Sequence, residues 1–137
     1  MSYDRVVKSA RQLDREIADT QERQQLARRV QKLLDKWQPI LGMRVREFRV
    51  KKMRAFGSLN VREGRLWISQ SLARMPKADL EYVVVHELVH MLIREEEGSG
   101  HDERFYALMD RYLPGWRRRH VRLRSPDGVV ARPLPGM

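Results

Sequence analysis

Cysteine is missing from all 137 residues. Its absence excludes disulfide bridges, cysteine-ligated zinc fingers, iron–sulfur clusters and thiol nucleophiles together, and it fits a reducing compartment, the cytoplasm. Long apolar runs are missing too. The densest stretches are Tyr82–Val85 and Leu88–Ile93, with His86, Glu87 and His90 among them, well short of the roughly 18 residues a membrane span needs. No apolar signal-peptide core follows Met1-Ser2-Tyr3-Asp4-Arg5, so export is not expected. Proline and glycine are absent from Asp4 to Trp37 and crowd into Ser125–Met137, which reads as a mobile tail.

With 42% hydrophobic residues, the chain has enough apolar material for one small core, and its length suits one domain. The expected organisation is a single domain over 1–124, with an N-terminal helical part (1–42), a core (43–124) and the tail 125–137. The formal net charge of +10 suggests a polyanionic partner. That charge is unevenly spread. Residues 1–56 hold 15 basic and 7 acidic side chains, residues 57–113 hold 7 and 10, and residues 114–137 hold 6 and 1. Any nucleic-acid contact therefore belongs to the basic flanks, and the middle is mildly acidic.

Periodicity supplies the elements. Leu13, Ile17, Leu26, Val30, Leu33, Leu34 and Trp37 recur at helical spacing, which predicts one or two amphipathic helices. The polar stretch Asp19–Gln25 marks a candidate break, and Pro39 and Gly42 close the segment. Val45–Lys51 and Leu59–Val61 alternate as strands do, and Glu63-Gly64 reads as a tight turn into a third strand, Arg65–Ser69. Pro76 then opens a helix expected over Lys77–Arg94. A further helix is expected from Ser99 or His101 to Tyr112, with Ser99 and Asp102 as a loose capping box, and a last basic helix over Trp116–Leu123.

The helix 77–94 is apolar almost all round, as a buried helix is, yet it carries His86, Glu87 and His90. Burying three such side chains without partners is costly. His86 and His90 are four apart, so their imidazoles project from one face, one turn apart, as two nitrogen ligands of one metal do. Glu87 stands about 100° further round, able to reach a metal-bound water. The run His86-Glu87-Leu88-Val89-His90 is the HExxH pattern. Ordinary core histidines are the competing explanation. The hydrophobic surroundings, and the fall of three of the four histidines within residues 86–101, oppose it.

A catalytic zinc takes three protein ligands and leaves a fourth position open. His101, four before Phe105 on the same helix face, is the strongest candidate for the third ligand. Glu95, Glu96, Glu97, Asp102 and Glu103 are its rivals.

His86-Glu-Leu-Val-His90, Gly100-His101-Asp-Glu-Arg-Phe105-Tyr106 and Arg111-Tyr-Leu-Pro-Gly-Trp-Arg117 together resemble the YgjP-like metallopeptidase family, related to SprT-like and minigluzincin-type zinc proteins. The likeness extends to Val50–Ser58 and the Leu66–Val85 connection, so it spans residues 45–123. It implies an α+β, zincin-like (minigluzincin) fold: a small antiparallel sheet packed on the HExxH helix and a following helix, preceded by an N-terminal helical region. It also implies Zn²⁺ on His86, His90 and His101, with Glu87 as general base in peptide-bond hydrolysis. Two departures are visible. Phe56-Gly57-Ser58-Leu59 stands where the family commonly has Trp-Gly-Ser-Cys, and the His90–His101 spacer is longer than usual. In zincins a strand edge pairs with the extended substrate, a role expected here of Arg65–Ser69. Candidates for a second oxyanion donor are Tyr106, Tyr112 and His120.

Three functions follow. The first is a cytoplasmic zinc peptidase acting on peptides or unfolded protein segments. The second is a SprT-like protease acting on DNA-associated proteins and anchored by the basic flanks, a reading weakened by the lack of any cysteine for a zinc ribbon. The third is a basic nucleic-acid-binding or adaptor domain with a structural zinc, opposed by an intact Glu87, for which a structural site has no use.

Overall fold

The computed structural model describes residues 9–94 and 103–124. The tail 125–137, the Ser99–Asp102 cap and His101 lie outside them. The first element is one continuous helix, α1 (Ala10–Leu41). Ser9 and Gln12 close a reciprocal capping box at 3.1 and 2.9 Å. Pro39 sits in the last turn, and Gly42 at φ 69° takes the left-handed conformation that ends the helix, donating to Gln38 O at 2.9 Å.

The helix does not break at Asp19–Gln25. That polar stretch faces a short 3₁₀ turn, Gln70–Arg74, whose buried Gln70 donates to Asp19 (2.7 Å) and Glu22 (2.9 Å). Lys52 and Arg74 complete the joint at 3.2 Å each. Beyond it Leu26, Val30, Leu33, Leu34, Trp37 and Leu41 enter the core, whereas Leu13 and Ile17 remain 45% and 55% exposed.

Three strands follow: β1 (Glu47–Lys51), β2 (Gly57–Asn60) and β3 (Arg65–Ser69). Their spatial order is β1-β3-β2, with β1 parallel and β2 antiparallel to β3. The α+β class holds, but the sheet is mixed rather than antiparallel. The β2–β3 hairpin turns where glycine was needed: Gly64 at φ +68° bonds Asn60 O (2.8 Å), and its own carbonyl accepts from Arg46 N (2.8 Å). That second bond starts β1 along the open side of β3, so the returning strand becomes the centre of the sheet.

Helix α2 (Lys77–Arg94) is the pillar of the core, with Leu80, Tyr82, Val83, Val84, Val85, Leu88 and Val89 fully buried. It packs on α1, β2, α3 (Glu103–Tyr112) and α4 (Trp116–Arg124). Surrounded on all sides, it has no polar face to spare. That explains why it is apolar almost all round.

Candidate metal centre

Tyr82, His86 and His90 form one ridge of α2, each a turn above the last. The two imidazoles bring their Nε2 atoms to 3.2 Å, with ring centroids 4.7 Å apart at 71°. Both rings are buried. With Zn–N bonds of about 2.0–2.1 Å, the edge of a tetrahedral site measures roughly 3.3 Å, so the Nε2 separation is that of two ligands on one zinc-sized ion.

Glu87 is almost fully buried, with Oε2 3.9 Å from His86 Nε2. That oxygen makes no hydrogen bond among the described residues. Burial pushes the carboxyl up to about 8. A dication beside it acts in the opposite direction, favouring the carboxylate.

Aromatic rings wall the site. Phe105 of α3 lies 5.2 Å from the His86 ring and 4.8 Å from the His90 ring, and Tyr82 meets His86 edge-on at 5.6 Å. Behind them Trp116 stacks between Tyr82 (6.2 Å) and Tyr106 (6.0 Å) and donates its indole N–H to Asp110 at 2.9 Å. Helix α4 is fastened to α2 by Tyr82 Oη and His120 Nδ1 at 2.9 Å, and by Arg122 on the buried Asp79 at 3.1 Å.

His86, Glu87 and His90 are thus brought together, while His101 and its rivals Glu95, Glu96, Glu97 and Asp102 lie outside the described residues. Glu103 is exposed at the start of α3. Among the described residues no three His, Asp or Glu side chains close a metal site. Of the candidate oxyanion donors, His120 Nδ1 is hydrogen-bonded to Tyr82 Oη, while the Tyr106 ring stacks on Trp116 and the Tyr112 ring lies under Arg111 (5.2 Å).

Arg65–Ser69 is not the cleft strand. As β3 it is paired on both sides, whereas β2 has an edge unpaired among the described residues and packs on α2. Two residues at the site were missed in the sequence. Tyr82 extends the histidine ridge by one turn, a signal hidden by its resemblance to ordinary core. Gly57 lies directly against Glu87, its only signal being its place in Phe56-Gly57-Ser58-Leu59, the stretch that matches the family's Trp-Gly-Ser-Cys.

An α+β domain that buries an HExxH helix against a small sheet falls in the class of the metallopeptidases. The chain belongs to the YgjP-like family: the family model described as YgjP-like, metallopeptidase domain, matches residues 2–126. Membership makes it a hydrolase of the peptidase kind. No curated protein matches the chain. Among solved structures it is similar to the metallopeptidase zymogen of Pyrococcus abyssi abylysin. The TM-score is 0.59 at 20% identity, over 69% of this chain and 90% of that one, a likeness of fold. Among the described residues no helix is long and apolar enough to cross a membrane.

Proposed function

We propose that the protein is a zinc-dependent peptidase, with His86, His90 and His101 as metal ligands and Glu87 as general base. The observation that carries this reading is the 3.2 Å approach of two buried Nε2 atoms with a buried carboxylate 3.9 Å away. His101 is supported by Phe105, four residues on, which packs against both imidazoles. When bound, zinc supplies Lewis acidity that polarises a carbonyl and lowers the pKa of a coordinated water toward roughly 7. Glu87 Oε2 takes the proton released as water attacks the scissile carbonyl carbon, and gives it to the amide nitrogen as the C–N bond breaks. His86 and His90 are kept from turning by Tyr82 and Phe105, and the apolar wall excludes bulk water.

The substrate is an extended peptide segment added to the free edge of β2, whose residues Gly57, Ser58, Leu59 and Asn60 carry no charge. Metal analysis and a casein assay of Glu87→Ala test this reading. The expected result is about one zinc per chain in both proteins, with hydrolysis lost in the variant. An active Glu87→Ala protein refutes the mechanism.

One observation favours nucleic acid as an additional partner. Residues 44–54 hold six basic side chains and one acidic. On β1, Arg49 is in register with Trp67, and Lys51 Nζ lies 4.0 Å over its indole. Cations around a half-buried aromatic ring suit a single strand, and would bring the peptidase to proteins on nucleic acid. Trp37 and Trp116 are buried, so quenching by oligo-dT reports on Trp67. Salt-dependent quenching that disappears in Lys51→Glu supports this reading, and a flat titration removes it.

A further inference from the structure

Glu87 has three side-chain torsions, and its Oε2 makes no hydrogen bond among the described residues to hold it. Among the described residues, what can aim it is contact. Gly57, the first residue of β2, is paired with Ile68 on the central strand, so its backbone is fixed. Its φ is outside the left-handed region occupied by Gly42, Gly64 and Gly115, so the glycine is not required by backbone conformation. It is required by space. A Cβ there would stand 2.9 Å from Val83 Cγ1, 3.1 Å from Glu87 Cγ and 3.4 Å from Glu87 Oε2. Carbon atoms pack best at about 3.5–4.0 Å, so both carbon contacts would be repulsive. Val83 and Glu87 are four apart on α2, one ridge facing one glycine.

We infer that Gly57 is the positioning residue of Glu87: the bare β2 backbone is the wall against which the carboxylate rests, and any side chain at position 57 moves it off the scissile bond. This rests on Glu87 being the base, and the experiment separates the two claims. The competing account is that Gly57 serves only the strand–helix packing, through Val83.

Gly57→Ala, Val83→Ala and the double variant distinguish them, because Val83→Ala removes the 2.9 Å contact and leaves the 3.1 Å contact with Glu87. Three quantities are read on each protein: thermal midpoint of the zinc-free form, zinc affinity by chelator competition, and kcat and KM on a fluorogenic peptide. Val83→Ala should lower the midpoint and keep kcat within a few-fold of native. The double variant should unfold no earlier than Gly57→Ala and bind zinc as tightly as native, yet lose roughly 10- to 100-fold in kcat with KM little changed. A double variant whose kcat returns to that of Val83→Ala overturns the inference. So does one whose loss lies in zinc affinity. Glu87→Gln is assayed alongside: if it stays active, the base assignment has failed, whereas an inactive Glu87→Gln with an active double variant refutes the role of Gly57 alone.

Discussion

Replacing Phe105 by alanine tests whether the aromatic wall aims the two imidazoles. The side chain is fully buried and touches both histidine rings, at 5.2 and 4.8 Å, together with Trp116 at 6.4 Å. Its ring neighbours His86, His90 and Trp116 lie on two other helices, α2 and α4, which pack on each other and resist collapse onto the void. The loss should therefore fall in the usual Phe→Ala range of about 3–5 kcal/mol. For a chain of 137 residues that is a fall of about 10–20 °C in the thermal midpoint of the zinc-free protein. A second effect is separable from the first. Without the wall each imidazole regains rotamer freedom worth about 0.5–1 kcal/mol, which zinc must then remove on binding. Two rings give about 1–2 kcal/mol, or roughly a 5- to 30-fold weaker affinity. Phe105→Leu should restore most of the stability and much of the affinity. Calorimetry and chelator competition on the same preparations read both terms. A variant that melts as early as expected but binds zinc as tightly as native refutes the idea that Phe105 orients the ligands.

Two further predictions concern the scaffold. Gly64→Ala should cost about 1–2 kcal/mol, because a left-handed φ is strained for alanine and its Cβ would stand 3.2 Å from Arg46 Cγ, whereas Gly42→Ala, with open space around it, should cost only about 1. Urea midpoints measure both, and an equal loss at the two sites removes the crowding at β1. For Glu81, burial raises the carboxyl pKa, but hydrogen bonds from Lys36 (2.9 Å) and Trp37 (2.8 Å) outweigh it and hold the group below its ordinary 4.5. A depressed folded-state pKa adds stability above the unfolded value that fades as pH falls through the folded one. Glu81→Gln should therefore be less stable than native at pH 7, the gap closing as pH falls below the ordinary 4.5 and through the depressed folded-state value; a gap unchanged on acidification contradicts the assignment.

What could be read from sequence was what is local. Lys77–Arg94 was legible because Pro76 marks its start and its apolar residues leave no exposed face. The β2–β3 hairpin was legible because Glu63-Gly64 can hardly do anything but turn. Spacing alone put His86, Glu87 and His90 in one place. Sheet order was not legible, since period-two alternation says which face a residue takes and not which strand lies beside it. The polar stretch in α1 looked like a break because its partner, Gln70, is about 50 residues away. Gly57 was visible only as part of the stretch Phe56-Gly57-Ser58-Leu59 and not as a neighbour of Glu87, because the crowding exists only once β2 has met α2.

The same order, β1-β3-β2, gives the +10 charge a location. Among the described residues the sheet has two unpaired edges, and each is a template for another extended chain. On β1 itself stand Arg49 and Lys51, and Arg44, Arg46, Lys52 and Arg54 flank the strand, with Glu47 the one acidic side chain among them. Cations along an edge oppose pairing with a second sheet, and they turn away extended segments that are themselves basic. The β2 edge has neither a charge nor a proline, and it starts at the glycine that lies against Glu87. Had the cations been on β2, a neutral or basic peptide would be repelled where the proposed chemistry occurs. On β1 they leave the edge beside the carboxylate as the one uncharged strand on which a chain can settle.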